Sequence, residues 1–367
     1  MNSAMHTLFI LAAAMLLSCT RQPLSQPVAG EEAGTATFTR KSLIADVMAD
    51  PAFGNYGRLL LPVQRGYWSG NTLEQLRLTY YQGIDPDMTA SIVNHLKEHA
   101  LEGDTVFLDI YTEAEKQADR SKRDTGLFFF KGRPGAPFAI CNAGGAFAFV
   151  GAMHDSFPHA LKLSEMGYNA FALIYRPNEA YADLARAIEF IHDHAAQLEV
   201  SDTDYSLWGG SAGARMAAAL GNSIYLQQFT GRTDLPQAAA VVMQYTGYTD
   251  ANSHDAPTYA CVGTADGIAS WRTMRDRLQR LEGMGIDTEF HAYERLPHGF
   301  GLGTGSVAEG WHTDAVRFWE RQMRATPVEH TQAKEDRSTQ DIYSTEGIRL
   351  PRPRKGLNII NHKKTLL

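Results

Sequence analysis

Asp204-Tyr205-Ser206-Leu207-Trp208-Gly209-Gly210-Ser211-Ala212-Gly213-Ala214-Arg215-Met216-Ala217-Ala218-Ala219 decides how the rest of the chain reads. A short β-prone run meets Gly-Gly-Ser-Ala-Gly, and an alanine-rich helical run follows at once. Gly-x-Ser-x-Gly between a strand and a helix is the pattern of a serine held on a strained turn with its hydroxyl pushed out of a sheet. Only very small neighbours permit that turn, and Gly209 and Gly213 stand two positions either side of Ser211. A helix that begins behind the serine turns its N-terminal amides and positive dipole end toward any developing oxyanion.

Outward from this turn the chain alternates strand-like and helix-like runs. Val106–Tyr111 and Gly126–Phe130 read as an antiparallel opening pair, followed by Pro137–Cys141 and Ala170–Tyr175. A helix from Tyr181 to about Leu198 keeps Leu184, Ala185, Ile188, Ile191, Ala195 and Leu198 on one face. Beyond the serine turn, Ala238–Tyr245 and Pro257–Gly263 are near-continuous apolar runs, as buried parallel strands should be. A helix over about Ser270–Gly283, a strand Thr288–Tyr293 and a helix over about Val307–Met323 complete the set. The pattern predicts an α/β fold: a mostly parallel eight-stranded sheet with helices on both faces and the serine turn after its fifth strand.

A serine hydroxyl needs a base to take its proton and a carboxylate to orient that base, and in such a sheet the three follow in chain order Ser, Asp or Glu, His. Asp266 stands just past the seventh strand between Gly263 and Gly267; Asp250, after the preceding strand, is the competitor. His298, in the Pro/Gly-rich loop Leu296-Pro297-His298-Gly299, is the one of thirteen histidines with both loop context and chain position. His192 and His194 are expected on the solvent side of their helix. Oxyanion donors should come from the loop after the third strand, Asn142-Ala143-Gly144-Gly145-Ala146-Phe147, and from Ala212.

On these motifs the chain resembles α/β-hydrolases of the esterase/lipase type, close to bacterial carboxylesterases and acetyl esterases. The resemblance covers about Val106 to Met323. It implies a triad of Ser211, Asp266 and His298, with Gly145, Ala146 and Ala212 at the oxyanion. Gly144-Gly145-Ala146-Phe147 stands for a His-Gly-Gly-Gly-Phe-type loop but lacks its His and one Gly, which leaves the register of the donating amides open by one residue. The activity implied is hydrolysis of carboxylic esters through an acyl-enzyme, on short-acyl substrates such as acetylated polysaccharide or xylan-type esters. The rival readings are a prolyl-peptidase-like serine peptidase and a non-catalytic surface glycan-binding protein on the same fold. His154, Asp155 and His159 match no strong metal-ligand spacing and read as a solvated loop or a substrate-facing wall. No cofactor and no metal are implied, since no phosphate-binding glycine loop or Cys-x-x-Cys pair occurs.

The ends of the chain carry different signals. Residues 1–19 hold an apolar run, Leu8–Leu17, too short to span a bilayer, and close on Leu16-Leu17-Ser18-Cys19. That ending looks like a bacterial lipobox, which implies export, lipidation at Cys19 and anchoring in the outer membrane, on its periplasmic or cell-surface side. A plain secretory signal is the alternative, because Met1 to Thr7 has no Lys or Arg. Residues 20–66 read as tether and N-terminal extension, and residues 67–325 as the catalytic-type domain with a helical segment at its start. Within that segment two helical patterns stand out, Leu73-Leu76-Leu78-Tyr80 and, after Asp85-Pro86-Asp87, Ile92–Ala100; they could form a lid or cover a sheet edge. Residues 326–367 read as a polar linker and a β-prone tail, either a hairpin or a short sorting tail.

Composition fits one large soluble core: 44% of the 367 residues are hydrophobic and 20% charged, with a net charge of −7 that offers no basic footprint for nucleic acid. The expected partners are a small-molecule or carbohydrate ester, and a membrane through the lipid anchor only. Cys141 and Cys261 fall on strands with two others between them in the sheet, about 14 Å apart at about 4.8 Å per strand step, and should be free and buried.

Overall fold

The structure, a computed structural model, describes residues 36–81 and 83–325, and in backbone alone four short strands within residues 342–366. The leader with Cys19, and the tether as far as residue 35, lie outside the described residues.

Eight strands form the central sheet: β1 Phe107–Leu108, β2 Gly126–Phe130, β3 Phe138–Asn142, β4 Asn169–Ile174, β5 Ser206–Gly210, β6 Ala240–Gln244, β7 Thr258–Gly263 and β8 Thr288–Tyr293. Their order is β8-β7-β6-β5-β3-β4-β2-β1. From β3 to β8 every neighbouring pair is parallel; β2 runs antiparallel to both β1 and β4. The expected opening pair is present, with its first strand shortened to two residues. Strands β2 to β7 are buried throughout, as their apolar runs required, whereas the edge strand β8 is only half-buried, which accounts for its mixed sequence. Chain order reverses at β3, which leads to β4 on one side and has β5 on the other. The crevice beyond the carboxyl ends of β3 and β5 is therefore where an open α/β sheet binds its ligand.

The principal helices are α1 Pro86–Leu101, α2 Phe157–Glu165, α3 Ala180–Asp193, α4 Ala212–Leu220, α5 Trp271–Gly283 and α6 Trp311–Ala325. In α4 the alanines and Met216 are buried, and side chains this small let the helix lie close against the sheet behind Ser211. The helix expected to run to Leu198 breaks at His194, and a separate turn, Ala195–Leu198, follows. His192 does not face solvent as expected. Its ring packs edge-on against Phe138 and Tyr205, because it stands four residues past Ile188 and seven past Ala185, on the buried face of the helix. Cys141 on β3 and Cys261 on β7 are free and buried, with β5 and β6 between them.

Before the sheet, the first helical pattern is overturned. Leu73–Gln75 is a single 3-10 turn, and Arg77–Leu78 pairs antiparallel with Trp68–Ser69. Leu76 and Leu78 are buried on either side of the exposed Arg77, a period of two that the wider spacing concealed. The second pattern is the helix α1, capped by Asp85, whose carboxylate accepts from the amides of Asp87 and Met88, with Pro86 in the first turn. Ile92, Val93 and Leu96 bury its inner face. Within the stretch read as an N-terminal extension, Ile44, Val47, Phe53, Tyr56, Leu59 and Leu60 join the hydrophobic core, and Tyr56 stacks on Phe107 of the edge strand β1 at 5.1 Å. Tyr56 also meets Phe128 edge-on, so the segment packs on the sheet face at the β1–β2 pair.

The C-terminal unit forms a four-stranded antiparallel sheet of Arg349–Leu350, Ile342–Tyr343, Leu357–Ile360 and Lys363–Leu366, in that order. The two β-prone runs pair, and Lys363–Leu366 adds a strand beyond the expected hairpin. Among the described residues no helix is long and apolar enough to cross a membrane.

Candidate active site

Ser211 sits at the end of β5 with φ 52° and ψ −114°, a conformation that L-residues rarely adopt. The close approaches that force it are visible at the flanking glycines. A Cβ on Gly209 would meet the Gly213 carbonyl carbon at 2.2 Å, and one on Gly213 would meet the Asn142 oxygen at 2.0 Å. The Ser211 amide donates to the Gln244 oxygen of β6, which ties the turn to the sheet.

Asp266 and His298 arrive from the ends of β7 and β8. A Cβ on Gly263 would lie 1.9 Å from the Leu296 oxygen, so only glycine lets these two loops close on each other; Gly267 faces open space and has no such duty. Asp266 Oδ1 accepts the amides of Ile268 and Ala269 at 2.8 and 2.7 Å, and Oδ2 meets His298 Nδ1 at 2.7 Å. His298 Nε2 lies 3.1 Å from Ser211 Oγ. The carboxylate is wholly buried and the imidazole 10% exposed. Asp250 is exposed, and its backbone oxygen, not its carboxylate, is engaged, by Arg277. Gln244 Nε2 and Trp311 Nε1 both donate to the Gly301 oxygen, fixing the loop that carries His298.

The loop after β3 lies against the serine: a Cβ on Gly144 would be 2.9 Å from Ser211 Cβ. Its turn is sharp, with Gly145, Ala146 and Phe147 all at positive φ. Tyr175 Oη donates to the Ala143 oxygen at 2.8 Å, and the Gly144 amide donates to Asp155 Oδ2 at 2.9 Å. Gly144 is thereby removed from the open register. The amides of Gly145, Ala146 and Ala212 have no protein acceptor among the described residues. Strand order 1-2-4-3-5-6-7-8, a serine turn after β5, an acid after β7 and a histidine after β8 together define the architecture. The chain has the α/β-hydrolase fold.

The family model BD-FAE matches residues 131–264, a little over a third of the chain; the match includes Ser211 and ends two residues before Asp266. Among solved structures, the chain is similar to a sugar hydrolase from Lactococcus lactis, at 18% identity and TM-score 0.48, covering 55% of this chain and 95% of that one. It is similar to the carboxylesterase Cest-2923 from Lactobacillus plantarum, at 17% identity and TM-score 0.47, covering 54% and 92%. A third is an acetyl ester-xyloside bifunctional hydrolase from Caldicellulosiruptor lactoaceticus, at 18% identity and TM-score 0.45, covering 54% and 88%. No curated protein sequence matches the chain.

Within this hydrolase fold the sequence reading missed a group of buried polar residues. Asp155, read as solvated or as part of a substrate wall, is 1% exposed. Besides the Gly144 amide it accepts the hydroxyls of Tyr81, at 2.9 Å, and of Tyr245. Burial and the neighbouring carboxylate hold both phenols well above the ordinary tyrosine range, so both remain donors. One signal was available: Gly210, the free position of Gly-x-Ser-x-Gly, is glycine because a Cβ there would lie 2.4 Å from Asp155 Oδ2. His154 Nε2 meets the Gly299 oxygen at 2.8 Å, and His159 is buried against Trp311 and His312. Among the described residues the one cluster with metal-ligand spacing is His99, Glu102 and Asp104, where the Lys131 ammonium already faces Asp104. α1 packs its apolar face into the core, and its N-cap Asp85 and first-turn Met88 border an open cleft with Met153, His154, Phe300 and Leu302.

Proposed function

We propose that the chain is a serine hydrolase acting on carboxylic esters, with Ser211 as nucleophile, His298 as base and Asp266 as the group that orients it. The observation that carries this reading is the imidazole of His298, in reach of Ser211 Oγ through one nitrogen and of Asp266 through the other. The fold hosts many chemistries, so the function rests on this site and not on the architecture.

His298 Nε2 takes the Ser211 proton as Oγ attacks the ester carbonyl, and Asp266 stabilises the imidazolium that forms. Amides of Gly145 or Ala146, with that of Ala212 at the start of α4, stabilise the tetrahedral oxyanion. The imidazolium then protonates the leaving alcohol, and water, activated by the same histidine, releases the acyl group. Short-acyl esters, acetylated polysaccharides among them, are the proposed substrates. Export with lipidation at Cys19 is proposed from Leu16-Leu17-Ser18-Cys19; loss of the protein from the membrane fraction in Cys19→Ala would support it, and unchanged fractionation would not.

The functional test is hydrolysis of p-nitrophenyl acetate, butyrate and octanoate by the full chain beside Ser211→Ala. Turnover that favours acetate and disappears in the variant is expected. Equal background rates for both proteins would reject the esterase reading and favour the peptidase or the binding protein.

A further inference from the structure

We infer that Asp155 is a positioning residue for the proposed oxyanion site, aligning the loop after β3 and the His298 loop on Ser211 from a single buried carboxylate. The inference rests on the serine-hydrolase reading and extends it to residues outside the triad. Asp155 stands behind both halves of the centre. A Cβ on Gly210 would meet its Oδ2 at 2.4 Å, and a Cβ on Gly144 would meet the same oxygen at 2.7 Å. Three donors meet it: the Gly144 amide, Tyr81 Oη and Tyr245 Oη.

Each donor ties the carboxylate to a different part of the site. The Gly144 bond holds the loop whose next amides, Gly145 and Ala146, are free to donate. The ring of Tyr245 packs on that of His298 with centroids 4.8 Å apart, and Tyr245 itself is held at φ 34°, off the ordinary backbone regions. Tyr81 packs on His154 at 4.6 Å, and His154 bonds the oxygen of Gly299, the residue after His298. Tyr81 belongs to the segment before the sheet, so that segment is part of the site's support as well as of the core.

A carboxylate is the side chain this cluster demands. It offers acceptors only, and all three neighbours are donors. An asparagine keeps one acceptor oxygen: placed at Oδ2 it sets its NH2 group against Tyr245 Oη, which must turn its hydrogen away and accept, and reversed it sets the NH2 group against the Gly144 amide, so one of the two ties to the centre is lost or weakened in either pose. Misplacing one oxyanion donor is worth about 10²–10³ in kcat.

The test uses the full chain with p-nitrophenyl acetate. Intact sites are counted by end-point phosphonylation with a fluorophosphonate, so that loss of fold and loss of alignment read out separately. For Asp155→Asn the expected result is a kcat per intact site lower by about 100-fold, with KM changed less than about threefold. For Tyr81→Phe and Tyr245→Phe, which keep the carboxylate on Gly144, the expected losses are several-fold each. If Asp155→Asn does not fold, the double Tyr→Phe variant decides, with a fall of about tenfold per intact site expected. A kcat per intact site within twofold of wild type, in whichever variant decides, overturns the inference and leaves Asp155 a purely structural group. Absence of turnover and phosphonylation in the wild type would instead count against the serine-hydrolase reading itself.

Discussion

Asp266 and Asp155 each bury a carboxylate in the neighbourhood of Ser211, and their partners divide them. Asp266 is satisfied on one oxygen by amides of its own loop, Ile268 and Ala269, which leaves the other for a single imidazole. Asp155 accepts from Gly144 of the preceding loop and from two remote tyrosines, Tyr81 and Tyr245. A carboxylate oriented by its own loop is available to take part in a reaction. One that gathers donors from separate segments holds the site together. Local hydrogen bonding, more than burial, separates the two roles.

The comparison breaks most visibly at Asp266. Asp266→Asn should lower kcat by about 10⁴, because the amide favours the wrong imidazole tautomer. Asp250→Asn, at the exposed competitor, should leave kcat within about twofold in the same steady-state assay. A large loss at Asp250 with none at Asp266 would exchange their roles.

Gly210→Ala sharpens the other side. The new methyl would drive into the Asp155 carboxylate, and overpacking of this kind costs about 1–3 kcal/mol. A melting temperature lower by several degrees, together with reduced turnover, is expected; a variant as stable and as active as wild type would show that Asp155 has room to move.

A smaller effect belongs to the buried histidines outside the triad. Burial lowers the pKa of His159 to about 4 and of His312 to about 3, and their Nε2 atoms have no hydrogen-bond partner. His95, to about 4, and His192 are lowered by the same cause. These groups take protons more readily unfolded than folded, so stability should fall as pH drops below about 6.5 toward those values, by at most about 1.4 kcal/mol per proton per pH unit. The urea midpoint should therefore be lower at pH 5 than at pH 7. An unchanged midpoint would mean the folded protein already carries charge at these rings.

Legibility follows the same division. The sheet, the serine turn and the acid and histidine loops were readable because each is encoded locally, by glycines that force close approach and by apolar runs of strand length. The Leu73–Tyr80 stretch misled because its spacing suited a helix, while burial of Leu76 and Leu78 around an exposed Arg77 follows a strand period. Asp155 was unreadable for a physical reason. Its donors lie 74, 11 and 90 residues away along the chain, and no local pattern announces their meeting. Only Gly210, a glycine where the motif requires none, marked the place.

The most direct measurement is mass spectrometry of the full chain after a fluorophosphonate, with peptide mapping. One adduct per chain on the peptide carrying Ser211, lost in His298→Ala, is the predicted result. An unmodified protein, or an adduct on another serine that survives Ser211→Ala, would contradict the assignment of Ser211 as the nucleophile.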